Sequence, residues 1–139
     1  MTQKDKTSIT LSFWLVAVSG IGLSLTRNFL VVEGSFGPEN HFTLPFWKAA
    51  HYFLVPYFIF SIGRIYKSHI LIKLKLKERK KTGILLIGLL LTVAFTGQLQ
   101  FLITDLALLE NLRLGHLTTG LFSLIVFLYH SRRKVKHLR

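Results

Sequence analysis

Long apolar stretches alternating with short charged ones dominate the pattern of this chain. Thr7 to Thr26 contains no Asp, Glu, Lys or Arg, and the same holds for Thr82 to Thr104 and for Leu114 to Ser131. A helix that crosses a bilayer takes about 20 apolar residues, so each stretch is long enough. A further run is uncharged only from Ala49 to Gly63, but its apolar character extends from Pro45 to about Tyr66. Its Lys48, Arg64 and Lys67 sit where long side chains snorkel to the interface. The pattern predicts an all-α integral membrane protein, a four-helix bundle forming a single domain over residues 1–139. The expected spans are about 9–30, 45–67, 83–104 and 113–131.

Charge sets the expected orientation. The chain carries 18 Lys+Arg against 6 Asp+Glu, a net charge of +12. The basic residues gather in the 64–82 connection and the 131–139 tail, whereas the 27–45 and 103–113 connections are slightly acidic. Basic segments alternating with near-neutral ones fit the positive-inside rule for an even number of spans. The expected topology is up-down-up-down with both termini cytoplasmic. Gly34, Gly37 and Pro38 act as turn formers in an outer loop. Lys4 and Lys6 ahead of an apolar run, with Ala17-Val18-Ser19, loosely resemble a signal peptide. Losing that run would break the four-span parity, so it is expected to be a retained anchor. The basic 64–82 loop beside a bilayer reads as a contact for anionic lipid, and no nucleic acid is expected.

Half of the residues are hydrophobic, which excludes an ordinary soluble domain. With no cysteine, disulfides, thiolate metal sites and a Cys nucleophile are excluded too. Pro45 suits the first turn of the second helix, and Pro56 should kink its interior. Small residues recur four apart: Gly20 and Ser24, then Gly88, Thr92 and Thr96, then Gly115, Thr119 and Ser123. Such ridges let helices approach closely in lipid.

The six histidines are the candidate chemistry. His51 and His69 fall near opposite ends of the second helix, and His116 and His130 near opposite ends of the fourth. At 3.6 residues per turn, His51 and His69 share a face, and His130 lies about 40° from His116. Helices two and four run in the same direction in the expected topology, so outer histidine pairs with outer and inner with inner. Facing imidazoles at two levels can clamp a haem by its iron, as low-spin haem in bundles requires. A lone interfacial histidine is more often a plain anchor, and His69 and His130 stand beside basic residues. His41 and His137 lie outside the spans and read as solvated. Gly83 and Gly97, fourteen residues apart like His116 and His130, offer positions without a side chain where a haem could lie.

The stretch from Lys81 to Arg133, with Thr82-Gly83, Thr96-Gly97, His116, Gly120 and His130, resembles the membrane cytochromes b of formate dehydrogenases and nickel–iron hydrogenases. His51, Pro56 and Gly63 are similar to the preceding helix of that family. The resemblance covers about 90 residues. It implies that His51 and His116 hold an outer haem b and that His130 holds one side of an inner one. In that family the remaining inner ligand comes from the first helix, which here has no histidine. His69 is the substitute a span offers.

The expected function is electron transfer between an outer-side redox partner, a cytochrome c or a dehydrogenase-type subunit, and the quinone pool of the cell's inner (cytoplasmic) membrane. One or two haem b groups are expected, with quinone as a further ligand, in a multi-pass protein within a hetero-oligomeric complex. No substrate-oxidising motif is present, so substrate oxidation would fall to a partner. The alternative is a non-redox accessory or assembly subunit of a larger membrane complex. A transporter is disfavoured because no span has Asp or Glu at mid-depth.

Overall fold

The computed structural model describes residues 2–34, 37–75 and 80–132, with the backbone alone for Lys80. Lys77, Glu78 and Arg79 of the basic loop, and the tail after Arg132 with His137, lie outside the described residues. Helix dominates, in the order α1 (Gln3–Phe29), α2 (Leu44–Ile65), a π-helical segment Tyr66–Leu71, a short α3 (Ile72–Lys75), α4 (Lys80–Leu99) and α5 (Leu106–Arg132). A two-stranded ribbon, β1 (Val31–Gly34) and β2 (Gly37–Asn40), stands between α1 and α2. The chain divides into two compact units, Met1–Lys75 and Leu76–Arg139.

In the first unit α1 begins well before the apolar run. Thr2 accepts from the Asp5 backbone N–H at 3.2 Å, and the Asp5 carboxylate accepts from the Thr2 backbone N–H at 3.1 Å. This reciprocal capping box satisfies two donors that an open helix end would leave unpaired. The buried stripe of α1 is Ser12, Phe13, Ser19 and Thr26, with its three hydroxyl residues spaced seven apart. Such small side chains let α2 approach closely. Their polar ends are satisfied within the helix where Ser12 and Ser19 donate to the carbonyls of Ile9 and Val16. From α2 come Phe58, Ser61 and Ile65. Phe13 and Phe58 meet edge to face at 5.5 Å, and Asp5 pairs with Arg64 at 3.1 Å. Toward the other end, a Cβ on Gly22 would fall 2.6 Å from the Trp47 ring. Each step along α1 is matched by an equal step back along α2, as an antiparallel hairpin requires.

The connection expected as a loop is instead a paired ribbon, with Val31 opposite Asn40 and Gly34 opposite Gly37. Its β-branched Val31 and Val32 favour extended backbone. Gly37 has φ +119°, a conformation side chains resist. Helix α2 runs unbroken through Pro56.

The second unit is the hairpin of α4 and α5. Here the expected 103–113 connection is shorter, because α5 starts at Leu106. The signal is Asp105, whose carboxylate accepts from the Leu108 N–H at 2.8 Å while its carbonyl accepts from Leu109. The ridge expected on α4 contributes unevenly. Thr96 faces α5, whereas Gly88 is exposed, and among the described residues nothing lies within 4 Å of a Cβ built on it.

Three helices, α1, α4 over Lys81–Leu99, and α5, are long and apolar enough to cross a membrane. Their outward residues include Leu15, Val18, Leu85, Leu91, Phe122 and Ile125, all exposed. A surface of this kind suits lipid better than water. Helix α2 has the length, 22 residues, but also carries Lys48, Arg64 and several amphipathic aromatics.

Candidate functional site

Three of the four histidines singled out for ligation share one local arrangement. In the first unit, His51 of α2 lies against Ser19-Gly20 of α1. Its Nδ1 is 3.0 Å from the Ser19 hydroxyl, and a Cβ on Gly20 would fall 3.0 Å from its Cε1. In the second unit, His116 of α5 lies against Thr96-Gly97 of α4, with Nδ1 3.1 Å from Thr96 Oγ1. A Cβ on Gly97 would come within 3.2 Å of that ring. His130 repeats the pattern against Thr82-Gly83, at 3.1 Å from Thr82 Oγ1 and 3.7 Å from the would-be Cβ. All three imidazoles are half-buried.

The dipeptide explains the geometry. Glycine removes the Cβ that would hold the ring off the neighbouring helix. The hydroxyl one residue earlier then lies within reach of the near ring nitrogen. The glycine signal was readable in the sequence at Gly83 and Gly97, and the structure sets a histidine ring against each. In the described structure the atoms these glycines make room for belong to His130 and His116. Ser19 was missed as a site residue, although Ser19-Gly20 is the same kind of dipeptide as the other two. The dipeptide alone is not sufficient, since among the described residues nothing lies within 4 Å of a Cβ built on Gly120 of Thr119-Gly120 in α5.

Spacing links the two seats of the second unit. His116 and His130 lie fourteen residues apart on α5, and Thr96 and Thr82 fourteen apart on α4. That interval is about 21 Å along a helix. Fourteen residues before Ser19-Gly20 stands Asp5-Lys6, and Asp5 is the partner of Arg64. The first unit therefore holds one histidine seat and, one interval away, an ion pair.

No family model, no characterised protein and no solved structure matches this chain.

His69 departs from the expected phasing. It lies in the π-helical segment Tyr66–Leu71, where wider winding breaks the 3.6-residue count from His51. It is half-buried, and none of the glycine contacts involves it. His41 stands outside the helices, and its Nδ1 accepts from the Thr43 backbone N–H at 3.3 Å and meets Thr43 Oγ1 at 2.8 Å. Among the described residues no three His, Asp or Glu side chains gather to hold a bare metal ion. A haem iron needs only two imidazoles.

Proposed function

We propose that this protein is a haem-binding membrane cytochrome b that carries electrons between an outer-side redox partner and the quinone pool of the cytoplasmic membrane. The observation that carries the reading is the threefold seat: His51, His116 and His130 each rest on a glycine with a hydroxyl at Nδ1. Holding one imidazole nitrogen by a hydrogen bond while the other is kept for a metal is the common arrangement of ligating histidines. With Nδ1 engaged, ligation falls to Nε2.

In this reading α2 is the fourth span, the bundle runs up-down-up-down, and both termini are cytoplasmic. The assignment of His51 and His116 to an outer haem b rests on span order and residue spacing. His130 holds one side of an inner one, with His69 as the candidate for the other side. When bound, haem supplies reversible one-electron exchange. The chain's own task is to fix ligand geometry, exclude water with its apolar faces and set the ligand field through the hydroxyl contacts. The basic residues around 64–82 fit anionic lipid at the inner face.

The test is an absorption spectrum of the purified protein. A Soret band with low-spin α and β bands is expected, and His116→Ala should remove the outer haem while membrane insertion persists. A colourless protein from haem-replete cells overturns the reading in favour of an accessory subunit. Loss of only one haem equivalent in His69→Ala supports the inner pair. A wild-type haem-to-protein ratio near one leaves His51 and His116 as the sole pair.

A further inference from the structure

The seats fix more than ring position, because a hydroxyl has a single proton to donate. Ser19 Oγ is 3.0 Å from the Val16 carbonyl and 3.0 Å from His51 Nδ1. Thr96 Oγ1 is 2.9 Å from the Thr92 carbonyl, 3.1 Å from that of Val93 and 3.1 Å from His116 Nδ1. A carbonyl oxygen can only accept, so each hydroxyl proton goes back into its own helix. Both contacts can then hold together only if the imidazole donates.

We propose that Ser19 and Thr96 are positioning residues. Their hydroxyls accept from Nδ1–H and hold His51 and His116, before any cofactor arrives, in the tautomer whose lone pair is on Nε2. The two ligands are thereby set electronically as well as sterically, and iron meets no wrong tautomer. His41 supplies an internal contrast. Its Nδ1 accepts from a backbone N–H, so the neutral ring carries its proton on Nε2. One chain therefore holds histidines of both tautomers, and the two assigned the proton on Nδ1 both rest on glycine seats. For Thr82 the carbonyls three and four residues back belong to residues 79 and 78, outside the described residues, so the assignment stops at Ser19 and Thr96.

The significance for haem rests on the function proposed above, but the tautomer is a property of the protein without cofactor. The experiment is ¹⁵N NMR of the full chain, labelled at histidine and produced in haem-deficient cells, in lipid nanodiscs. His51→Gln, His116→Gln and His41→Gln spectra assign the signals. Nδ1-protonated tautomers are expected for His51 and His116, and the Nε2-protonated one for His41. Ser19→Ala and Thr96→Val should shift the tautomer ratio of the facing ring by about three- to tenfold, the range of one neutral hydrogen bond. Thr96→Ser should restore it, and Thr92→Val, whose hydroxyl donates to the Gly88 carbonyl, should leave it unchanged. In the haem-loaded protein the same Thr96→Val change should weaken haem retention by about 10–100-fold.

Wild-type spectra with Nε2–H or mixed tautomers at His51 and His116 overturn the proposal, whether or not any variant folds. Unchanged ratios in well-folded Ser19→Ala and Thr96→Val overturn it too. A protein that never takes up haem yet shows the expected tautomers would sink the cytochrome reading alone.

Discussion

Adding one methyl group at each of five helix glycines in turn should produce a graded response. Replacing glycine by alanine in a helix gains about 0.8–1.0 kcal/mol through backbone entropy when the new Cβ has room. Forcing a methyl into a filled space costs about 1–3 kcal/mol. At Gly88 nothing lies within 4 Å, so Gly88→Ala should gain nearly the full amount. At Gly83 the nearest atom is 3.7 Å away, an ordinary contact, and the gain should largely survive. At Gly97, with His116 Cε1 at 3.2 Å, the ring must yield by a few tenths of an ångström. That variant should come near break-even. At Gly20 the ring stands at 3.0 Å and the balance turns to a net loss of about 1 kcal/mol. At Gly22 three Trp47 ring atoms lie between 2.6 and 2.8 Å of the new Cβ, and a fused ring has no flexible end to move. A loss of about 2 kcal/mol is expected there. Trp47→Phe added to Gly22→Ala should recover part of that loss by vacating the contact. The assay is equilibrium unfolding of the full chain in mixed detergent, followed by circular dichroism. Equal stabilisation by all five substitutions, or a ranking unrelated to these distances, would refute the packing argument.

Asp105→Ala should remove the cap of α5, costing about 1 kcal/mol, and speed amide exchange at Leu108 and Leu109 before the rest of the helix. Thr2→Ala should fray α1 in the same way, with faster exchange confined to its first turn. Asp5→Asn weakens the pair with Arg64, whose side chain is 49% exposed, so the unfolding transition should barely move. A loss of several kcal/mol there would mean that the pair is far better shielded than it is here.

Much of the architecture was legible from local pattern. Uncharged runs of about 20 residues mark α1, α4 and α5 because the bilayer sets a length and penalises charge along it. Helix starts were legible only where a capping residue was weighed. Thr2 and Asp105 moved two boundaries outward by six or more residues, since caps act on backbone donors that hydropathy does not register. The β1–β2 ribbon escaped notice because four residues per strand are too few for a period to emerge.

The sequence by itself determined that histidines would stand fourteen apart on one helix and glycines fourteen apart on another, since spacing along a helix is fixed by its rise. Tertiary packing decided which of them meet. Gly97 lies opposite His116 and Gly83 opposite His130 through the register of the α4–α5 hairpin, which side-chain fit sets along the whole contact. The same is true of Ser19-Gly20, which reads as an ordinary small-residue step until α2 brings His51 against it. His69 shows the converse, for a change in winding after Ile65 shifts a phase that counting residues had assigned. Spacing along one helix is a local quantity; the facing partner is a property of two surfaces, and only their packing selects it.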